Sequence, residues 1–123
     1  MNRPNRTLAG RTILIVEDEP LIALEVQSAF SAAGANIMSA TDSSEALRML
    51  SSSDPSAAVV DINLGRGDDC SAVCKRLSDR RIPFVFFTGD ARADILLKWP
   101  DAPLLTKLAD KQRVVEVVAG ALR

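Results

Sequence analysis

Five short apolar stretches punctuate the chain, and each ends where polar or glycine-rich sequence begins. Thr12 to Val16 (TILIV) combines β-branched residues with a leucine, and Asn36 to Ala40 is a weaker second stretch. Ala57 to Asp61 opens on AAVV behind the loop SSSDPS. Pro83 opens PFVFFT, which ends at Thr88, and Pro103 to Thr106 runs into Lys107. Apolar positions that run together, without alternating, predict strands buried on both faces, as in a parallel sheet.

Between these stretches the period changes to three and four. From about Pro20 to Ala33, the residues Leu21, Leu24, Phe30 and Ile22, Val26, Ala29, Ala33 predict an apolar helix face that Gly34 ends. Thr41 to Glu45 supplies cap residues for a short helix to about Leu50. A helix over about Asp69 to Arg80 carries Cys70, Val73, Cys74 and Leu77 inward, and a short one spans Ala91 to Lys98 before Pro100. The last helix, about Asp110 to Leu122, presents Val114, Val117, Val118 and Ala121. Strand followed by helix, about five times over with short connections, predicts an α/β fold. Its parallel sheet is doubly wound, with helices on both faces, in a single domain.

Length and composition fit that picture. The 123 residues are 47% hydrophobic and 25% charged, as in an ordinary globular domain. Lys+Arg number 15 and Asp+Glu 16, so no global field favours nucleic acid or an anionic membrane. No apolar run reaches the roughly 20 residues that span a bilayer. The basic start, MNRPNRTLAGR, has no apolar stretch behind it, so residues 1–10 are expected to be a flexible tail and residues 11–123 the domain. Cys70 and Cys74 stand four apart with no histidine anywhere, which leaves a zinc site without ligands and suits reduced core thiols in a cytoplasmic protein. The lack of histidine also excludes histidine-based acid–base catalysis and the role of a histidine kinase.

The candidate chemistry lies at the strand ends. In a parallel sheet the carboxyl ends share one edge, where open α/β sheets place their sites. That edge would hold Glu17 and Asp18 after strand one, Asp61 after strand three, Thr88 at the end of strand four and Lys107 after strand five. A lone aspartate at such a place often does no more than start a turn; its company argues otherwise. Carboxylates 4 Å apart repel by about 4 kcal/mol per pair at an effective dielectric of 20. A hard cation such as Mg2+, which takes oxygen ligands and substrate phosphates, would relieve this. Lysine and threonine opposite it suit the remaining phosphate oxygens.

The acidic pair, DINLGRG, FFTGD and the strand-five lysine together resemble the receiver domain of two-component response regulators. The likeness extends from about Arg11 onward. It is nearest to single-domain receivers with a Phe-Ala-Thr-Gly-Tyr signature, which here reads Phe86-Phe87-Thr88-Gly89-Asp90. The resemblance implies a flavodoxin-like sheet of order 2-1-3-4-5 with about five helices. It implies Asp61 as the phosphoacceptor, taking a phosphoryl group from a phosphohistidine. Asp18, Asp61 and the backbone carbonyl of Asn63 would ligate Mg2+, with Glu17 acting directly or through water. Thr88 would hydrogen-bond the phosphoryl group and Lys107 would pair with it. The partners implied are a sensor histidine kinase, a histidine phosphotransfer protein, or both. No nucleic acid, membrane or small-molecule substrate beyond phosphodonors is implied, and no enzymatic activity beyond the domain's own phosphorylation and dephosphorylation.

Some positions depart from the family. Glu17 stands where Asp is commoner. Leu108 follows Lys107 where proline across a cis bond is usual, and a non-proline cis bond costs about 2.5–4 kcal/mol, so a trans bond and an altered loop are expected. Leu104 replaces an aromatic residue that pairs its motion with the hydroxyl residue. Any response is therefore expected through the loop after Thr88 and the helix at 91–98. In the family, the places of Asn63 and Asp90 tune hydrolysis of the phosphoryl group. Trp99 either anchors a partner or plugs the end of its helix. An alternative is a pseudo-receiver that binds partners without phosphorylation. An FMN module is disfavoured, because Glu-Asp-Glu-Pro after strand one repels phosphate, and no pocket suggests a free-standing phosphohydrolase.

Overall fold

The structure is a computed structural model that describes residues 7–123. Its elements are β1 (Thr12–Val16), α1 (Pro20–Ala32), β2 (Asn36–Ala40), α2 (Ser43–Leu50), β3 (Ala57–Val60), α3 (Ser71–Asp79), β4 (Phe84–Thr88), α4 (Ala93–Leu96), β5 (Leu104–Thr106) and α5 (Lys111–Ala121). The five strands are all parallel, in the order β2-β1-β3-β4-β5. This is the flavodoxin-like arrangement with five helices.

The period-two alternation of each strand feeds two cores. Leu14, Val16, Ala58, Val60, Phe84 and Phe86 face α2, α3 and α4. Ile13, Ile15, Val59, Val85 and Phe87 face α1 and α5. Strands β3 and β4 are buried at every position, as the runs AAVV and FVFFT require. Asp42 accepts from the Glu45 N–H at 2.8 Å while Glu45 accepts from the Thr41 N–H at 2.9 Å, so α2 starts on the reciprocal cap its sequence offers. Gly34 has φ +93°, and a Cβ there would lie 3.2 Å from the Ala9 backbone.

That contact corrects one expectation. Residues 1–6 of the expected tail lie outside the described residues, but Thr7 to Gly10 form a turn. Leu8 is only 1% exposed among Val26, Phe30 and Val115, and its N–H donates to Ala33 O at 2.9 Å. Thr7 to Gly10 therefore pack as part of the folded domain. A second correction concerns faces. Leu21 and Leu24 are 75% and 58% exposed, and α1 buries Ala23, Val26 and Phe30. Helix α5 buries Val114, Val115, Val118 and Ala119, while Ala121 is exposed. Helix α3 starts at Ser71, not Asp69, because Asp69 spends its carboxylate on the Ser71 N–H at 2.8 Å. Helix α4 is trimmed to four residues.

Cys70 and Cys74 are free, buried and on the inner side of α3, as their spacing implies. No peptide bond among the described residues is cis, so Lys107-Leu108 is trans as expected, with Leu108 97% exposed. Trp99 packs edge-on against Phe84, with centroids 6.4 Å apart. It lines a cavity of about 490 Å³ at the edge where β4 begins, opposite the acidic residues. No helix among the described residues is long and apolar enough to cross a membrane.

Candidate functional site

The pocket follows from the register of the sheet. The Glu17 N–H donates to Ala40 O and the Asp61 N–H to Val16 O, both at 3.0 Å, so the first residues past β1 and β3 stay locked to neighbouring strands. Thr88 pairs with Thr106, and the Lys107 N–H donates to Thr88 O at 3.0 Å. Glu17, Asp61 and Thr88 are all buried, at 3%, 4% and 2% exposure.

Lys107 crosses this edge. Its Nζ donates to Asp61 Oδ2 at 2.8 Å, lies 3.0 Å from Glu17 Oε1, and reaches Glu19 Oε1 at 3.2 Å. The ammonium stands in for part of the positive charge that three carboxylates demand. Burial alone would lower the Lys107 pKa, but the hydrogen bonds and charges of Asp61 and Glu17 outweigh it and hold the pKa above its ordinary value. Burial dominates for Glu17, whose pKa is pushed up to about 7 despite its hydrogen bonds from the Glu19 N–H and Lys107.

Carboxylate oxygens of Glu17, Asp18 and Glu19 lie within 4.8 Å of one another. The loop after β3 completes the mouth. Asn63 and Asp69 form an isolated antiparallel bridge, in which the Leu64 N–H donates to Asp68 O and the Cys70 N–H to Ile62 O. Bonds through the flanking residues mark Asn63 as a non-hydrogen-bonded position, so this bridge leaves its own carbonyl uncommitted. Gly65, Arg66 and Gly67 all take positive φ to turn that loop. At Gly65 the backbone comes so near Asp18 that a Cβ would lie 3.2 Å from Oδ2. Every donor offered here is oxygen, and most are anionic, which fits Mg2+ and no soft metal.

Thr88 Oγ1 is engaged by its own loop, accepting from the Asp90 N–H and donating to Asp90 O, both at 3.3 Å. Asn63 does not aim its amide at Asp61; Nδ2 donates to Asp90 Oδ2 at 2.9 Å. The structure thus brings Glu17, Asp61 and Lys107 into direct contact, places Asp18 beside Glu17, and sets Thr88 one strand away. Sequence reasoning missed Glu19 as a partner of Lys107, although Glu-Asp-Glu-Pro held the signal. It also missed the Ser43–Asp68–Asp69–Arg92 network. There Asp68 accepts from the Ser43 N–H, Ser43 Oγ donates to Asp69 O at 2.7 Å, and Arg92 pairs with Asp69 at 3.4 Å.

Comparison with known proteins points the same way. The family model for the response regulator receiver domain matches residues 13–119. A response regulator receiver protein from Sinorhizobium medicae is 26% identical, with 91% of this chain and 94% of that one covered at a TM-score of 0.82. The response regulator PhyR from Brucella abortus is 29% identical over 96% of this chain but 49% of its own, with a TM-score of 0.81. A CheY-like receiver from Methanospirillum hungatei, 20% identical, shares the fold at a TM-score of 0.81. No curated protein matches the sequence. The family match runs from the second residue of β1 into the last turn of α5 and takes in every strand end that carries the pocket, so this chain belongs to the response regulator receiver domains, the signalling modules of two-component systems.

Proposed function

We propose that this domain accepts a phosphoryl group on Asp61 from a phosphohistidine of a partner protein in the cytoplasm, with Mg2+ bound beside it, and signals by protein contact. One observation carries the reading: the Nζ of Lys107 lies 2.8 Å from Asp61 Oδ2 and 3.0 Å from Glu17 Oε1, in a pocket whose remaining donors are all oxygens. A carboxylate so placed can act as nucleophile. A P–O bond to Asp61 forms as the P–N bond to the donor imidazole breaks, and the imidazole leaves with a proton from solvent. Transfer of this kind depends on positioning and charge neutralisation, and Mg2+ supplies the second when bound. Asp18, Asp61 and the Asn63 carbonyl are its proposed ligands, with Glu17 direct or through water. Lys107 follows the phosphoryl oxygens from its place on Asp61, and the Thr88 hydroxyl turns from Asp90 toward them. Hydrolysis later returns Asp61 and inorganic phosphate.

The surface around the mouth supports a protein donor. Leu21, Leu24 and Leu108 are among the most exposed large apolar side chains, and Leu24 and Leu108 line a groove between α1 and the segment after β5. Exposed leucines beside a phosphoacceptor suit an apolar helical surface that presents its histidine. Leu97, just past α4, and Leu104, on β5, are two further exposed leucines. The test is intact mass after incubation with acetyl phosphate and Mg2+. Wild type is expected to gain one phosphoryl group and Asp61→Asn none. A wild type that gains none is a pseudo-receiver, and the proposal fails.

A further inference from the structure

The cavity of about 490 Å³ lies at the opposite edge of the sheet from Asp61, and its size falls within the range of small-molecule sites. Its deepest lining is apolar. Ile82 and Phe84 are buried, and Trp99 is half-buried with its ring set edge-on to Phe84. Pro100 and Pro103 line the side formed by the segment between α4 and β5, where the Ala102 N–H donates to Trp99 O at 3.2 Å. Each proline fixes its own φ, so this wall keeps its shape without a ligand. The charged lining residues are Arg81, Lys98 and Asp101, all exposed. Among the described residues, none of the three charged groups has a hydrogen-bond or ion-pair partner. Two cations against one carboxylate leave the rim with a net positive charge.

Arg81 is also strained. Helix α3 closes with the Arg81 N–H donating to Ser78 O at 3.0 Å and the Ile82 N–H to Leu77 O at 2.9 Å. Helix α1 closes with the same pair of bonds, from the Gly34 N–H to Ser31 O and from the Ala35 N–H to Phe30 O. The residue between the two bonds must be left-handed, which is why glycine usually stands there. Gly34 meets that need at φ +93°, whereas α3 puts an arginine there at φ +58°. The turn itself gains nothing from the arginine side chain. The cavity it lines does.

We infer that this cavity is a second binding site, for a small planar aromatic anion whose ring packs against Phe84 and Trp99 while Arg81 and Lys98 hold its acidic group. Aromatic side chains take a further ring edge-on or offset. A guanidinium matches a carboxylate with two parallel hydrogen bonds, and the ammonium adds a point charge. A neutral ring would leave both cations unused, and an inorganic anion would leave the aromatic lining unused. The site stands apart from the phosphoacceptor reading: four residues of β4, about 13 Å of strand, separate Phe84 from Thr88.

The probe is 2-naphthoate, with 2-naphthamide as its uncharged match, titrated into the full chain and followed by 1H–15N NMR. 2-Naphthoate is expected to shift the Trp99 indole N–H and the Ile82 and Phe84 amides saturably, and to leave the Asp61 amide in place. The amide analogue is expected to bind at least about fivefold more weakly, as the loss of a charge-assisted contact implies. Arg81→Gly and Lys98→Gln should each weaken 2-naphthoate by about the same factor. Arg81→Gly should also raise the urea midpoint, because glycine relaxes the left-handed turn. A residue kept only for the fold would lower it. No shift at Trp99 with millimolar probe overturns the proposal, as does equal binding of acid and amide. Unchanged affinity in both variants, or a lowered midpoint in Arg81→Gly, does the same. Shifts centred on Leu24, Leu108 and Lys111 would put the probe in the groove beside α1 and overturn it as well.

Discussion

Lys107 Nζ stands 2.8 Å from Asp61 Oδ2, and the same nitrogen holds Glu17 and Glu19. Asp61 and Glu17 are almost wholly buried, so this one cation balances two desolvated carboxylates. Removing one partner of a buried pair strands the other, at about 3–5 kcal/mol. Lys107→Ala is therefore expected to lower metal-free stability by about 3 kcal/mol at pH 8. A divalent cation should replace part of the lost charge. Urea unfolding with and without Mg2+ checks both: the gain on adding Mg2+ should be larger in Lys107→Ala than in wild type.

The raised pKa of Glu17 sets a slope. Its folded value is about 7 against an ordinary 4.5, so between those pH values the folded protein keeps a proton that the unfolded chain has lost. This contribution to stability is full below pH 4.5 and disappears as pH rises toward 7. Lys107 stays charged in both states across that window and adds no slope. Glu17→Gln carries no such proton. In metal-free urea titrations from pH 4.5 to 7.5, wild type is expected to lose stability relative to Glu17→Gln as pH rises. A constant difference between the two refutes the shift.

Leu8 shows where the sequence was hard to read. One leucine inside a basic, glycine-containing start carries no periodicity, and its burial depends on Gly34 letting Ala9 come within van der Waals contact. The five strands were legible because strands covered on both faces must be continuously apolar. The pocket was legible because strand ends in a parallel sheet share an edge. Helix faces were not. Helix α1 is apolar at positions 21 to 24, and α5 has valines at 114, 115, 117 and 118, so three- and four-residue steps fit more than one face. Contacts between loops, such as Arg92 with Asp69, leave no trace in spacing. Leu8→Ala empties a fully buried site and is expected to cost about 3 kcal/mol, read as a lower urea midpoint with unchanged slope.

The two core thiols should be inert. The Cys74 pKa is raised well above the ordinary thiol value by its hydrogen bond with Cys70 and by burial, and thiolate is the reactive form. Native protein is expected to react with a disulfide reagent only as fast as it unfolds, and both cysteines to react at once in denaturant. A fast native phase would show that α3 opens locally.

Gly65 and Gly67 separate backbone strain from site geometry. Both have positive φ, +81° and +75°, so alanine at either forces a left-handed non-glycine residue and should cost about 1–2 kcal/mol. Only at Gly65 does the new Cβ meet a functional group, Asp18 Oδ2 at 3.2 Å; at Gly67 nothing lies within 4 Å. The carboxylate of Asp18 must then give way. Gly65→Ala and Gly67→Ala are expected to lose similar stability in metal-free protein, while only Gly65→Ala weakens Mg2+ binding, measured by calorimetry. Equal Mg2+ affinity in the two variants would mean that Asp18 does not hold the ion from its present position.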